Sequence, residues 1–120
     1  EKLMRELTPD DARWAVLGGV FACGGGGWQD HGKLMGQIAT NLNYPVLATV
    51  DELPEDSWVA TVTAIGAPAA KDWEIRPIDY INALKKLMEL SPHPISAVLT
   101  GQNGYSTTLN GWIQSSALGG

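Results

Sequence analysis

Trp58-Val59-Ala60-Thr61-Val62-Thr63-Ala64-Ile65 is the stretch on which the fold turns. Its two alternating faces are both apolar or small, which predicts a strand covered from two sides, the central strand of a sheet. Gly66-Ala67-Pro68-Ala69-Ala70 leaves it as a loop. Pro77 to Leu90 then reads as a helix, with Ile81, Leu84, Leu87 and Met88 as its core stripe. Ser91-Pro92-His93-Pro94 stops that helix, and Ile95-Ser96-Ala97-Val98-Leu99 predicts another strand. Upstream, Asp51 to Asp56 is an acidic turn, and Val46-Leu47-Ala48-Thr49-Val50 is a short strand.

Two helices open the chain. Leu7-Thr8-Pro9-Asp10-Asp11 is a helix start: Thr8 caps, Pro9 takes the first helical position, and the aspartates suit the positive end of the dipole. Ala12, Ala15, Val16, Gly19 and Val20 share one face of a helix expected to end near Cys23, where four glycines follow. A second helix runs from near Asp30 to about Asn41, with Leu34, Ile38 and Leu42 as its apolar stripe, and Asn43-Tyr44-Pro45 breaks it. At the other end, Thr100-Gly101-Gln102-Asn103-Gly104-Tyr105 is a polar loop. Ser106 then caps a last helix carrying Leu109, Trp112, Ile113 and Leu118, and Gly119 fits its left-handed end. The expected fold is therefore α/β. A short central sheet is flanked by helices, an N-terminal helical pair is joined by the Gly-rich loop, and the whole is completed by another chain or a C-terminal portion.

The 120 residues suit a single α/β domain, or the N-terminal subunit or fragment of a larger enzyme. Charged residues are only 18% of the chain, which predicts a large covered interface and hence an oligomer. The net charge is −5 and the basic residues are scattered, so nucleic acid is excluded as a partner. No apolar run is long enough to span a membrane, and Glu1 to Glu6 is not a signal peptide. A lone cysteine, Cys23, points to a reducing compartment, and the cytoplasm is the expected location. Leu118-Gly119-Gly120 looks like a cut, which predicts a precursor cleaved after Gly120 with a nucleophile opening the next piece.

Cys23-Gly24-Gly25-Gly26-Gly27-Trp28-Gln29-Asp30-His31-Gly32 is the leading functional segment. Consecutive glycines leave backbone amides unshielded, able to converge on an anion or a developing oxyanion. A loop built only to turn needs fewer glycines. Asp30 and His31 supply acid–base groups, and Cys23 is either a nucleophile or a small buried residue at a helix end. Two nucleotide motifs fail here. The spacing from Gly27 to Lys33 fits a P-loop, but Leu34 stands where Ser or Thr would hold magnesium, and the dinucleotide fingerprint lacks its third glycine. The second loop offers Gln102, Asn103, Tyr105 and Ser106 to an amide-like or hydroxylated ligand at a strand end. No metal-ligand cluster stands out, and the sequence names no cofactor.

Four motifs in this order resemble one family: Leu7-Thr8-Pro9-Asp10-Asp11, the Cys23 to Gly27 loop, Asp51-Glu52-Leu53-Pro54 and Ile65-Gly66-Ala67-Pro68. They look like the N-terminal part of the S-methyl thiohydantoin desulfurase-like family, which is associated with hydantoinases and oxoprolinases. The resemblance runs from Leu7 to Gly119. It implies that the chain is the N-terminal portion of a longer protein. It also implies hydrolysis of, or a related attack on, a ring amide or thioamide of a small molecule. The amides of Gly24, Gly25, Gly26 and Gly27 would stabilise charge on a carbonyl or carboxylate. Asp30 and His31 would orient water or substrate, and Gln102 and Asn103 would bind the polar edge of the ring. The chain departs from the family where Gln102 replaces a glutamate and where Trp28-Gln29 precede Asp30, which implies a divergent substrate. A non-catalytic binding or assembly module is the other reading.

Overall fold

The computed structural model describes residues 4–22, 26–66, 69 and 75–119. Along them run β1 (Arg5–Glu6), α1 (Pro9–Gly18), α2 (Gln29–Leu42), β2 (Val46–Leu47), β3 (Trp58–Val62), α3 (Pro77–Leu90), β4 (Ile95–Thr100) and α4 (Trp112–Leu118). Short 3-10 turns cover Gly19–Phe21, Val50–Glu52 and Thr107–Leu109. The fold is α/β, as expected.

Thr8 starts α1 as predicted, and the cap is reciprocal. The Thr8 hydroxyl accepts from the Asp11 N–H at 3.4 Å, and Asp11 Oδ2 accepts from the Thr8 N–H at 2.8 Å. Arg5 adds a guanidinium hydrogen bond to Asp11 Oδ1 at 2.9 Å. The Thr8 backbone N–H, more than any other group, holds the Asp11 carboxyl below the usual aspartate range, with Arg5 assisting against the cost of burial. Because the folded pKa is depressed, this contribution is present above about pH 4 and is lost as pH falls through the folded value. Thr8→Ala is expected to cost about 1 kcal/mol, read as a lower midpoint in urea.

Helix α1 stops at Gly18, earlier than the expected end near Cys23. The chain tightens into a 3-10 turn at Gly19–Phe21, whose Val20 and Phe21 are exposed. Val20 thus lies off the core face that the sequence pattern gave it, whereas Ala12 and Val16 are buried on it.

Helix α2 keeps its predicted place but turns a different face inward. Leu34 and Leu42 are exposed, while Gly32, Met35, Gly36, Ala39 and Thr40 are buried. The physical reason is close approach. A methyl on Gly36 would lie 2.6 Å from a Leu109 methyl and 2.8 Å from the Ala12 Cβ, so the small-residue side is the one that fits against α1 and the Thr107–Leu109 turn. Two buried clusters result, one of Ala12, Val16 and Leu109, the other of Met35, Ala39 and Ile113, and Trp112 packs on both.

Strands β3 and β4 form a parallel pair, with Val62 opposite Thr100 at its carboxyl end. A parallel pair needs a long crossover, and α3 lies within it in sequence. Along β3, Ala60 and Val62 are buried and Val59 and Thr61 are exposed. Among the described residues β3 has one neighbour, so the expected central, two-sided burial is replaced by an edge position with one covered face. The predicted strand at Val46 to Val50 shortens to Val46–Leu47, which pairs antiparallel with Arg5–Glu6, a strand that the sequence reading did not include. In α3 only Leu84 of the expected stripe is buried, since Leu87 and Met88 are exposed. Helix α4 ends at Gly119 with φ +108°, as expected, but it starts after Gly111 rather than at Ser106, which makes no side-chain cap hydrogen bond, and Leu109 lies in the preceding 3-10 turn.

Candidate active site at the carboxyl edge of the strand pair

In open α/β sheets, ligands collect beyond the carboxyl ends of the strands. Here that edge is Val62 and Thr100. The Thr100 hydroxyl lies 2.9 Å from the Gln102 carbonyl and 2.8 Å from the Thr107 carbonyl, which bends the chain back on itself directly after β4. The Gly104 N–H donates to the Thr108 hydroxyl at 2.9 Å and tightens the same loop.

The bent loop meets the glycine run. The Gly26 carbonyl accepts from the Ser106 N–H at 2.8 Å and the Thr107 N–H at 3.1 Å. A Cβ on Gly26 would strike the Cα of Gly104, and a Cβ on Gly104 would strike the Cα of Gly26. One turn into α2, a Cβ on Gly32 would strike the Tyr105 carbonyl oxygen. The two loops therefore touch backbone to backbone, which no side chain permits. Gly27, at φ +77°, then swings the chain into α2. Trp28 occupies the N-cap without a side-chain cap hydrogen bond, so the first turn of α2 is left to other acceptors.

Gly26 and Gly27 sit at the junction, and Cys23, Gly24 and Gly25 lie outside the described residues. Ser106 is buried beneath Gly27, and Tyr105 packs against the cluster of Ala12, Val16 and Leu109, with its backbone and ring against Gly19. Gln102 and Asn103 are exposed on the loop, and Asn103 Oδ1 accepts from the Thr108 hydroxyl at 3.4 Å. Asp30 is exposed on the first turn of α2. His31, on the same turn, is half-buried and reaches across to α3, where its Nε2 lies 3.2 Å from the Tyr80 hydroxyl.

Burial pushes the His31 imidazole below the usual histidine range and the Tyr80 phenol above the usual tyrosine range. The positive end of the α2 dipole opposes the imidazolium as well. Both groups are thus neutral around pH 7. Sequence reading missed Tyr80, Thr100 and Thr107. Thr107 Oγ1 and Asn110 Nδ2 are buried with no hydrogen-bond partner among the described residues, so the junction keeps unused polar capacity. Among the described residues, no three side chains of His, Cys, Asp or Glu gather as metal ligands would.

A separate open cleft of about 470 Å³ is apolar, with Met4, Val46, Val59, Met88, Leu99 and Leu118 in its lining. Trp14, Leu17 and Phe21 are also exposed, so the low charge of the chain is matched by apolar surface. Among the described residues no helix is long and apolar enough to cross a membrane.

The family model described as the S-Me-THD-like N-terminal domain matches residues 10–119 of the chain. No curated protein and no solved structure matches the chain.

Proposed function

The chain belongs to the S-Me-THD-like family as its N-terminal domain, and from that premise we propose that it forms part of a hydantoinase-related hydrolase. Its substrate class is a small cyclic amide or thiohydantoin, opened at a C–N bond. The observation that carries this reading is the backbone contact between the Gly26–Gly27 segment and the Gly104–Thr107 loop, at the carboxyl edge of a parallel strand pair. In this reading the junction anchors one end of the glycine run, whose other amides face a carbonyl or carboxylate, since the Gly104, Ser106 and Thr107 amides already donate within the protein.

In this reading the amides of Gly24 to Gly27 stabilise the oxygen that becomes charged. Gln102 and Asn103 hold the polar edge of the ring, with Tyr105 and Ser106 shaping the pocket wall. His31 takes a proton from the attacking water, and the hydroxide adds to the carbonyl carbon. The same proton then goes to the ring nitrogen as the C–N bond breaks. Asp30 orients the water, and Cys23 is the alternative nucleophile. The apolar cleft and the exposed Trp14, Leu17 and Phe21 support a companion portion that completes the enzyme.

The test is calorimetric titration of the full protein with hydantoin and with thiohydantoin, followed by mass analysis for ring-opened product. Binding and ring opening are expected, with Asn103→Ala weakening affinity by about 1 kcal/mol or more. If neither ring binds, the substrate class is wrong. Binding without turnover in the completed protein would instead favour a non-catalytic binding module.

A further inference from the structure

We propose that the free edge of β4 takes up an extended apolar strand from the portion of the protein that accompanies this N-terminal domain, so that the parallel pair becomes part of a larger sheet. The inference rests on the companion portion of the hydrolase reading and deepens it by saying how that portion attaches. The apolar cleft of about 470 Å³ is lined by Ala97, Val98 and Leu99, consecutive residues of β4. Successive side chains of a strand point to opposite faces, so a cleft that meets all three wraps around the edge of the strand. The two faces differ in their neighbours. A methyl on Gly111, just ahead of α4, would lie 2.8 Å from a Val98 methyl, whereas Leu99, on the other face, is exposed. Val59, which also lines the cleft, is exposed as well, although parallel sheets occur almost only with both faces covered.

Among the described residues β4 pairs with β3 alone, so every second residue of β4 directs its N–H and C=O away from β3. Proteins blunt such an edge with charge, proline or a bulge. The one irregularity in register lies at the start of β4, between Ile95 and Ala97, and residues 97–100 pair in regular order. Neither charge nor proline occurs in β4, and among the described residues no charged side chain lines the cleft. The unpaired backbone selects an extended chain over a helix, which brings no free N–H or C=O to an edge. Main-chain hydrogen bonds would hold the strand, and the apolar lining would select uncharged side chains on it. The same protein is its source. The matching family model is an N-terminal domain, and Leu118, the last residue of α4, lines the cleft. A segment tethered at that rim by a short flexible link has an effective concentration of about millimolar, far above that of a separate copy.

Amide hydrogen exchange and photo-cross-linking of the full protein test this without any substitution. With the strand in place, every amide of residues 97–100 is expected to exchange about a hundredfold or more slower than in an unstructured chain. Protection of every second amide alone would mean an open edge and would overturn the proposal. Photo-leucine incorporated in place of leucine puts diazirines at Leu47, Leu99 and Leu118 around the cleft. After irradiation of mixed heavy- and light-isotope protein, mass analysis is expected to show Leu99 joined to an apolar peptide from outside residues 1–120 of the same molecule. Links between heavy and light molecules would make the occupant a second copy and overturn the assignment. Links confined to residues 1–120, or none, would overturn it as well. The hydrolase chemistry is decided separately: hydantoin binding and ring opening can fail while the strand is found, and the strand can be missing from a protein that opens the ring.

Discussion

Gly104→Ala is expected to destabilise the protein by about 3 kcal/mol or more and to abolish binding at the loop junction. The new Cβ would collide with the Gly26 Cα. The obstacle is backbone on both sides, so no rotamer change relieves it. Either the loops separate, losing the hydrogen bonds from the Ser106 and Thr107 amides to the Gly26 carbonyl, or the chain fails to fold. Gly18→Ala is the control of opposite sign. It lies in the last turn of α1 with nothing within 4 Å of the added carbon, so alanine there is expected to stabilise by about 0.5–1 kcal/mol through helix propensity. Denaturant melts of the two variants beside the wild type check the pair. A Gly104→Ala melt within 1 kcal/mol of wild type would mean that the loops do not touch as described.

That contrast shows which features are legible in a sequence. The four-glycine run announced close approach to something, and the Thr8-Pro9-Asp11 start and the Gly119 stop announced themselves by local chemistry alone. All of these are settled within a few residues of chain. The partner of the glycine run, by contrast, is Gly104, far along the sequence, and nothing local to either loop names the other. Periodicity misled in α2 for a related reason. Leu34, Ile38 and Leu42 carry the hydrophobic signal, but the helix packs by its narrow side, where Gly32 meets Tyr105 and Gly36 meets Ala12 and Leu109. Transfer free energy favours burying leucines, while close packing favours the side that lets two backbones approach, and here packing decided. Leu34 and Leu42 are left on the surface, along with Leu87 and Met88 of α3. Tyr80 escaped notice because its value lies in a cross-helix distance to His31, which a pattern of apolar residues along α3 does not encode.

On the proposed hydrolase reading, with His31 as the general base, His31→Ala is expected to reduce hydantoin turnover by about 10²–10⁴-fold while leaving the fold in place. The side chain is half-buried at the start of α2 and contributes no member to either buried cluster, so its removal is an effect on chemistry more than on packing. The pH dependence separates the two. Burial lowers the folded pKa of His31 below the ordinary histidine value of about 6.5. The neutral form therefore persists into more acid solution than for a free histidine, and on the proposed reading the acid limb of the wild-type profile is expected below that value. The linkage has a definite sign. A depressed folded pKa means that the unfolded chain binds the proton more readily, so stability is complete above about pH 6.5 and is lost as pH falls through the folded value. His31→Ala removes that loss, and its urea midpoint is expected to change less than that of the wild type between about pH 7.5 and pH 5. A variant that keeps wild-type turnover would move the proton transfer to Asp30 or Cys23. A variant with wild-type pH dependence of stability would show that His31 is solvated as freely in the folded protein as in the unfolded chain.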